Sequence, residues 1–185
     1  MKKSFIKTGI LALSLFAFSA ISAQNVIVGG EQMLPSKNIV QNALNSKQHT
    51  TLVAAVKAAG LVDTLMKDGP FTVFAPVNDA FENLPAGTIE TLLKPENKGT
   101  LVAVLTYHVV AGKYTYDDLV KLIKKGKGKA TLKTVSGGTL TFTMNGTVSI
   151  LITDDNENTS NISVYDVMQS NGVIHSIDTV LLPKS

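Results

Sequence analysis

The chain has 185 residues, 17 Lys+Arg against 14 Asp+Glu, and neither cysteine nor tryptophan. Without thiols there is no disulfide, no thiolate metal site and no cysteine-borne lipid anchor, so the hydrophobic core alone must hold the fold, which this length permits in one domain. All 17 cations are lysine, so the planar fork that grips phosphate or carboxylate through two parallel bonds is missing.

Residues 1–23, MKKSFIKTGILALSLFAFSAISA, have lysines first, then an apolar run, then small residues. That is the layout of a secretory signal, with cleavage expected between Ala23 and Gln24. The apolar run, residues 10–18, is shorter than the roughly 20 residues a spanning helix needs. The protein is therefore expected to be secreted or periplasmic, with no membrane span after cleavage. Loss of Lys2, Lys3 and Lys7 leaves 14 cations against 14 anions, so the basic pI of about 9.0 belongs to the leader. Nucleic acid is not an expected partner.

Residues 24–36 are short, glycine-containing and proline-ended, and read as an N-terminal arm before a domain spanning 37–185. Ile39, Val40, Ala43 and Leu44 repeat at helical spacing. Thr50 or Thr51 offers an N-cap for a second helix, which Gly60 breaks, and residues 61–67 make a short third. FTVFA, residues 71–75, is a short buried strand, after which Asn78 can cap a brief helix through Leu84. Residues 88–93 and 98–109 return to helical spacing. Residues 117–124 follow, with acids at the start and lysines at the end, as the helix dipole favours.

The period then changes to two. In TLTFTMNGTVSILI, Leu140, Phe142 and Met144 alternate with Thr139, Thr141 and Thr143, and Asn145-Gly146 marks a hairpin. Two further strands are expected around residues 162–164 and 173–182. Helices crowd the first half and strands the second, which is an α+β arrangement.

Three constellations carry chemical alternatives. His175 lies on a strand face with Val173, Ile177 and Leu181, whereas Ser176 and Asp178 point to the other side. A Ser176–His175–Asp178 triad therefore fails, and a core histidine bonded to backbone is expected. His108 ends a helix, where a cation is favoured; the alternative is a metal site with His175 and His49, but no close histidine pair exists. In DDNENTSN, Asp154, Asn156 and Asn158 alternate like calcium ligands, yet Thr159 and Tyr165 stand where an EF-hand loop needs Gly and Glu. A polar turn is expected there. No cofactor or metal is expected, and no nucleophile and base can be brought together, so the chain is not read as an enzyme.

KLIKKGKGKATLK holds Lys121, Lys124, Lys125, Lys127, Lys129 and Lys133. It lacks the order of a phosphate cradle. It reads as a solvated helix end and flexible loop, or as a contact for an acidic polymer such as an anionic polysaccharide.

Three segments together, FTVFAPVNDAF at 71–81, YHVV at 107–110 and NGVIHSIDTVLLP at 171–183, resemble the fasciclin-like domain family, in particular bacterial single-domain members. The resemblance covers roughly residues 37–184. It implies a wedge of β-sandwich-like strands with helices wrapped around, and a non-catalytic module of adhesion and matrix organisation. It also implies that His175 belongs to the fold. In animal matrix members an Asp-Ile pair and the Tyr-His segment are implicated in integrin contact, which maps onto Asp166-Val167 and Tyr107-His108. Only an exposed position for these residues is carried over, not the partner. Val77 departs from the family's usual Thr or Ser, leaving Asn78 as the expected cap. The expected partner is a cell-surface protein or polysaccharide; the alternative is a small-molecule or glycan-binding module.

Overall fold

The computed structural model describes residues 26–184, so the expected signal and its cleavage point lie outside them. The expected arm is not irregular. Val26–Val28 (β1) and Glu31–Met33 (β2) form an antiparallel hairpin that turns at Gly29 and Gly30, with φ of 62° and 81°. Glycine tolerates these left-handed values, which a side chain would strain. Val28 and Met33 are buried in the main core, so this segment belongs to the domain.

Helix α1 (Ile39–Ala43) starts on Asn38 in a reciprocal capping box with Gln41. Helix α2 (Thr50–Ala59) starts one residue before the expected threonines, on His49, and closes on Gly60 at φ 72°. Then come α3 (Val62–Leu65), β3 (Phe71–Pro76), α4 (Asn78–Glu82) and α5 (Thr88–Leu92). Asn78 does not cap α4, whose N-cap is Val77 without a side-chain bond. Its Oδ1 instead accepts from Thr51 N at 3.1 Å, and its Nδ2 donates to the Lys47 carbonyl at 2.9 Å. The residue expected to begin its own helix thus caps α2, because α2 offers free N–H groups that His49 leaves unsatisfied.

After a 3-10 turn (Pro95–Asn97), α6 (Lys98–Tyr107) ends two residues earlier than expected, and the chain enters β4 (Val109–Ala111). Helix α7 (Tyr116–Lys125) opens with a Thr115–Asp118 capping box. The lysine-rich stretch expected as a loop supplies β5 (Lys129–Lys133), followed by β6 (Thr139–Asn145), β7 (Ser149–Thr153), β8 (Thr159–Gln169) and β9 (Gly172–Ile177). Asn145 pairs with Ser149, so the hairpin loop is Gly146, Thr147 and Val148, one residue longer than a tight Asn-Gly turn.

Seven strands form one sheet in the order β4-β3-β9-β8-β7-β6-β5. Only β3 and β9 run parallel; the other neighbours are antiparallel. Its two ends meet through a Val110–Thr134 bridge and a 2.8 Å bond from Val135 N to the Val109 carbonyl, giving a near-barrel. Alternation along the strands then defines two cores. Phe74, Phe142, Ile150 and Ile177 fill the barrel with Leu119 and Ile123 from α7. Val73, Ala75 and Ile174 face outward against Leu52, Leu101 and Leu105 of α2 and α6. This is the expected α+β domain with helices wrapped around strands.

Because α7 closes the barrel through only two fully buried side chains, its cap should contribute measurably. Thr115→Ala is expected to lower stability by about 1 kcal/mol. The urea midpoint would report it, and an unchanged midpoint would show that the box is incidental.

Candidate functional site

The resemblance directs attention first to Tyr107, His108, Asp166 and Val167. Tyr107 is fully buried at the end of α6, where its hydroxyl donates to the Thr139 carbonyl and accepts from Asp155 N, both at 2.8 Å. Burial, followed by the nearby Asp155 and Asp154 charges, raises its pKa. His108 is buried as well. Its Nδ1–H donates to the Val104 carbonyl at 2.8 Å, and its Nε2 accepts from Leu181 N at 3.0 Å. Both bonds define a neutral imidazole. Burial lowers its pKa to about 4, outweighing the Val104 carbonyl and Asp154. The expectation of a cation at this helix end is therefore corrected: desolvation exceeds the dipole's attraction.

Val167 is 2% exposed and faces the helical core, and Asp166 is half-buried. Asp166 sits in a bulge of β8 at φ 55°, a value that short polar side chains tolerate better than valine or isoleucine. Its Oδ1 accepts from Tyr116 N at 2.8 Å, anchoring the start of α7, and its own N–H donates to His175 Nδ1. These four residues do not form an exposed patch. Three are core, and the fourth is a strut between α7 and β8.

His175 completes that strut. It is buried inside the barrel, stacked on Phe74 with ring centroids 5.6 Å apart, and its Nε2–H donates to the Tyr114 carbonyl at 2.8 Å. Ser176 faces the opposite core. Asp178 accepts from Ser160 Oγ and Asn161 N, at 3.0 and 2.9 Å. The triad geometry rejected from the strand period is absent in space too. His108 and His175 spend both ring nitrogens on backbone, which removes them as metal ligands. The Asp154 carboxylate, 5% exposed, ties together its own turn and the C-terminal segment by accepting from Asn156 N, Asn158 N and Leu182 N.

All six lysines of the 121–133 stretch are exposed, but they do not share one face. Leu119 and Ile123 pack α7 against the barrel interior, so Lys121, Lys124 and Lys125 lie on the helix side of the sheet. Lys129 and Lys133 alternate with inward Ala130 and point to its outer side. Lys121 has one ion pair, with Asp118 at 3.8 Å; no other of the six has one among the described residues. Edge-strand lysines also discourage sheet-to-sheet pairing.

On that outer side the register aligns Thr131 with Thr141, Thr141 with Thr153, and Thr153 with Thr159. Directly opposed residues project from the same face, so four adjacent strands present one row of threonines. With strands about 4.8 Å apart, the row is about 14 Å long. Parallel to it run Lys129, Thr143, Leu151 and Asn161 on one side, and Lys133 with Thr139 on the other. None of the four hydroxyls in the central row is used in a hydrogen bond within the described residues. The alternation of Thr139, Thr141 and Thr143 was visible in the sequence, but the row across strands depends on loop lengths that fix register.

This near-barrel with a helical layer defines the class of protein, a fasciclin-type domain. Residues 47–183 match the Fasciclin domain, and the chain belongs to that family. It is 49% identical over 146 residues to protein sll1483 of Synechocystis, covering 78% of this chain and 73% of that one. Identity to immunogenic protein MPB70 of Mycobacterium bovis is 36% over 146 residues, covering 76% and 66%. Identity to transforming growth factor-beta-induced protein ig-h3 of Sus scrofa is 35% over 153 residues, but that match spans only 20% of the larger protein. The fold is similar to a FAS1 domain pair from the insect cell adhesion molecule Fasciclin I, with a TM-score of 0.69 at 21% identity, over 79% of this chain and 51% of that one. Among the described residues no helix is long and apolar enough to cross a membrane.

Proposed function

We propose that the chain is a non-catalytic adhesion module acting outside the cytoplasm, and that it attaches to an acidic polysaccharide through the outer face of β5 to β8. The observation that carries this reading is the four-threonine row flanked by Lys129 and Lys133. Free hydroxyls in a regular row can exchange hydrogen bonds with sugar hydroxyls, and the flanking ammonium groups answer acidic substituents. Family membership and the adhesive role of the solved insect relative support the adhesion class.

The purified chain from Gln24 onward would be titrated with alginate at low and high salt. Binding should weaken at high salt, because exposed charges are screened beyond about 8 Å at physiological ionic strength. Replacing Thr141 and Thr153 together with Val should weaken binding about tenfold, by removing two hydrogen bonds while keeping shape and β propensity. Lys129→Gln with Lys133→Gln should flatten the salt dependence. Equal binding by the Thr141→Val, Thr153→Val double variant would overturn this face as the contact. Turnover of an ester, glycoside or peptide would overturn the non-enzyme reading.

A further inference from the structure

Between the helical layer and the outward faces of β3 and β9 lies a cavity of about 120 Å³. Its wall is almost entirely carbon, with Met33, Val40, Leu52, Val73 and Ile174 among the residues that form it. Leu44 and Val135 also line it, and they are 49% and 51% exposed, so the apolar wall reaches the surface. Two polar side chains interrupt it. His49 is 4% exposed and Ser176 is 0% exposed, and neither His49 Nε2 nor Ser176 Oγ has a hydrogen-bond partner among the described residues. Native proteins seldom leave buried polar atoms unmatched, and here two such atoms border one cavity.

The β3–β9 register relates them. The Ala75 carbonyl lies beside the His49 ring, and Ser176 is the registered partner of Ala75 across the parallel β3–β9 pair. Ser46 Oγ lies 2.8 Å from His49 Nδ1. With Ser46 donating in that bond, Nε2 carries the ring proton, and the Ala75 carbonyl lies close to it but outside hydrogen-bond geometry, so the proton is open to a better-placed acceptor. Ser176 Oγ offers both a donor and an acceptor. A hydroxyl group is the smallest complement to this pair, since one oxygen can accept from Nε2–H while its own proton goes to Ser176.

We propose that this cavity is a binding site for a neutral aliphatic alcohol, with its hydroxyl between His49 and Ser176 and its chain running along the apolar wall toward Leu44. A single water could satisfy the same two atoms but would leave most of the remaining wall without contacts. Dry apolar cavities of similar size accept small hydrophobic molecules. Burial holds His49 neutral by lowering its pKa, so an ionised head group gains no counter-charge at the closed end. Lys57 also lines the cavity but is exposed, and it would favour the reverse orientation for a carboxylate.

The test uses the isotope-labelled protein with 1-octanol and with octanoate. Saturable one-to-one binding of 1-octanol is expected, with shifts at the backbone amides of Ala75, Ser176 and Leu44 and at the His49 ring, and with a raised Tm. Octanoate should bind at least tenfold more weakly. Ser176→Ala, a conservative change, should weaken 1-octanol binding about fivefold, the loss of one hydrogen bond. Val53→Phe, on the cavity wall, should abolish binding while leaving the shifts of the β5–β7 region unchanged. Absence of saturable shifts, octanoate binding as tight as 1-octanol, unchanged affinity in Ser176→Ala, or a water on His49 Nε2 that 1-octanol does not displace would each overturn the proposal.

Discussion

Replacing His175 with Ala should lower stability by about 4 kcal/mol, the largest effect expected of any histidine in the chain. Three losses add. The Tyr114 carbonyl and the Asp166 N–H lose their partner, and buried unmatched groups cost about 1–3 kcal/mol each. The space left beside Phe74 and Tyr165 adds a cavity term, since neither ring can collapse fully into it. Asp166 then loses its reason to hold φ at 55°, which loosens the anchor on Tyr116 N and hence the start of α7. The measurement is a urea titration followed by circular dichroism, with exposed Ser170→Ala as the comparison near zero. A loss below 1 kcal/mol would show that the ring is not a structural strut.

Much of this was legible one element at a time. The break at Gly60, the run from acids at Asp117 to lysines at Lys124, and the alternation of Leu140 and Phe142 against threonines are local signals, and local signals survive without knowledge of the fold. Inward Ala130 and Leu132 were too few to outweigh the glycines and lysines around them, so β5 read as a loop. Asn78 was read as a cap for its own helix because the free N–H groups of α2, some 27 residues earlier, become its neighbours only after folding. The strand face of His175 followed from period two, but its partners on Tyr114 and Asp166 did not. The exposed position inferred for Tyr107-His108 failed for a related reason. That position was carried over from the resemblance alone, whereas in this chain both side chains turn inward and bond to backbone groups brought together only by folding. The threonine row and the cavity are both products of register and layer packing, to which a single sequence gives no direct access.

Acid should destabilise the protein well before its carboxylates titrate. His108 has a folded pKa of about 4 against roughly 6.5 for an unfolded histidine. Between those values the unfolded chain binds a proton that the folded chain refuses, so stability falls as pH falls. The contribution is complete above about pH 6.5 and lost progressively toward pH 4, amounting to about 3 kcal/mol for a fully buried group. The mechanism is specific: protonating Nε2 would break its bond from Leu181 N and set a donor against a donor. His175 and His49 are lowered as well, burial first in each case, although Asp166 and the Tyr114 carbonyl raise the former and the Ala75 carbonyl the latter. All three histidines therefore push the same way. Asp118 is lowered through bonds from Thr115, and Asp178 is lowered because, against the opposing effect of burial, bonds from Asn161, Ser160 and Thr179 together prevail; both add to the loss only once pH approaches the carboxylate range. Urea unfolding at pH 7, 6, 5 and 4.5 should show stability dropping steeply below pH 6.5. His108→Gln should start lower at pH 7 yet fall less steeply, because one of the three proton uptakes is gone. A flat stability between pH 7 and 5 would mean that these rings are protonated or solvated in the folded state, and the buried neutral assignment would have to be abandoned.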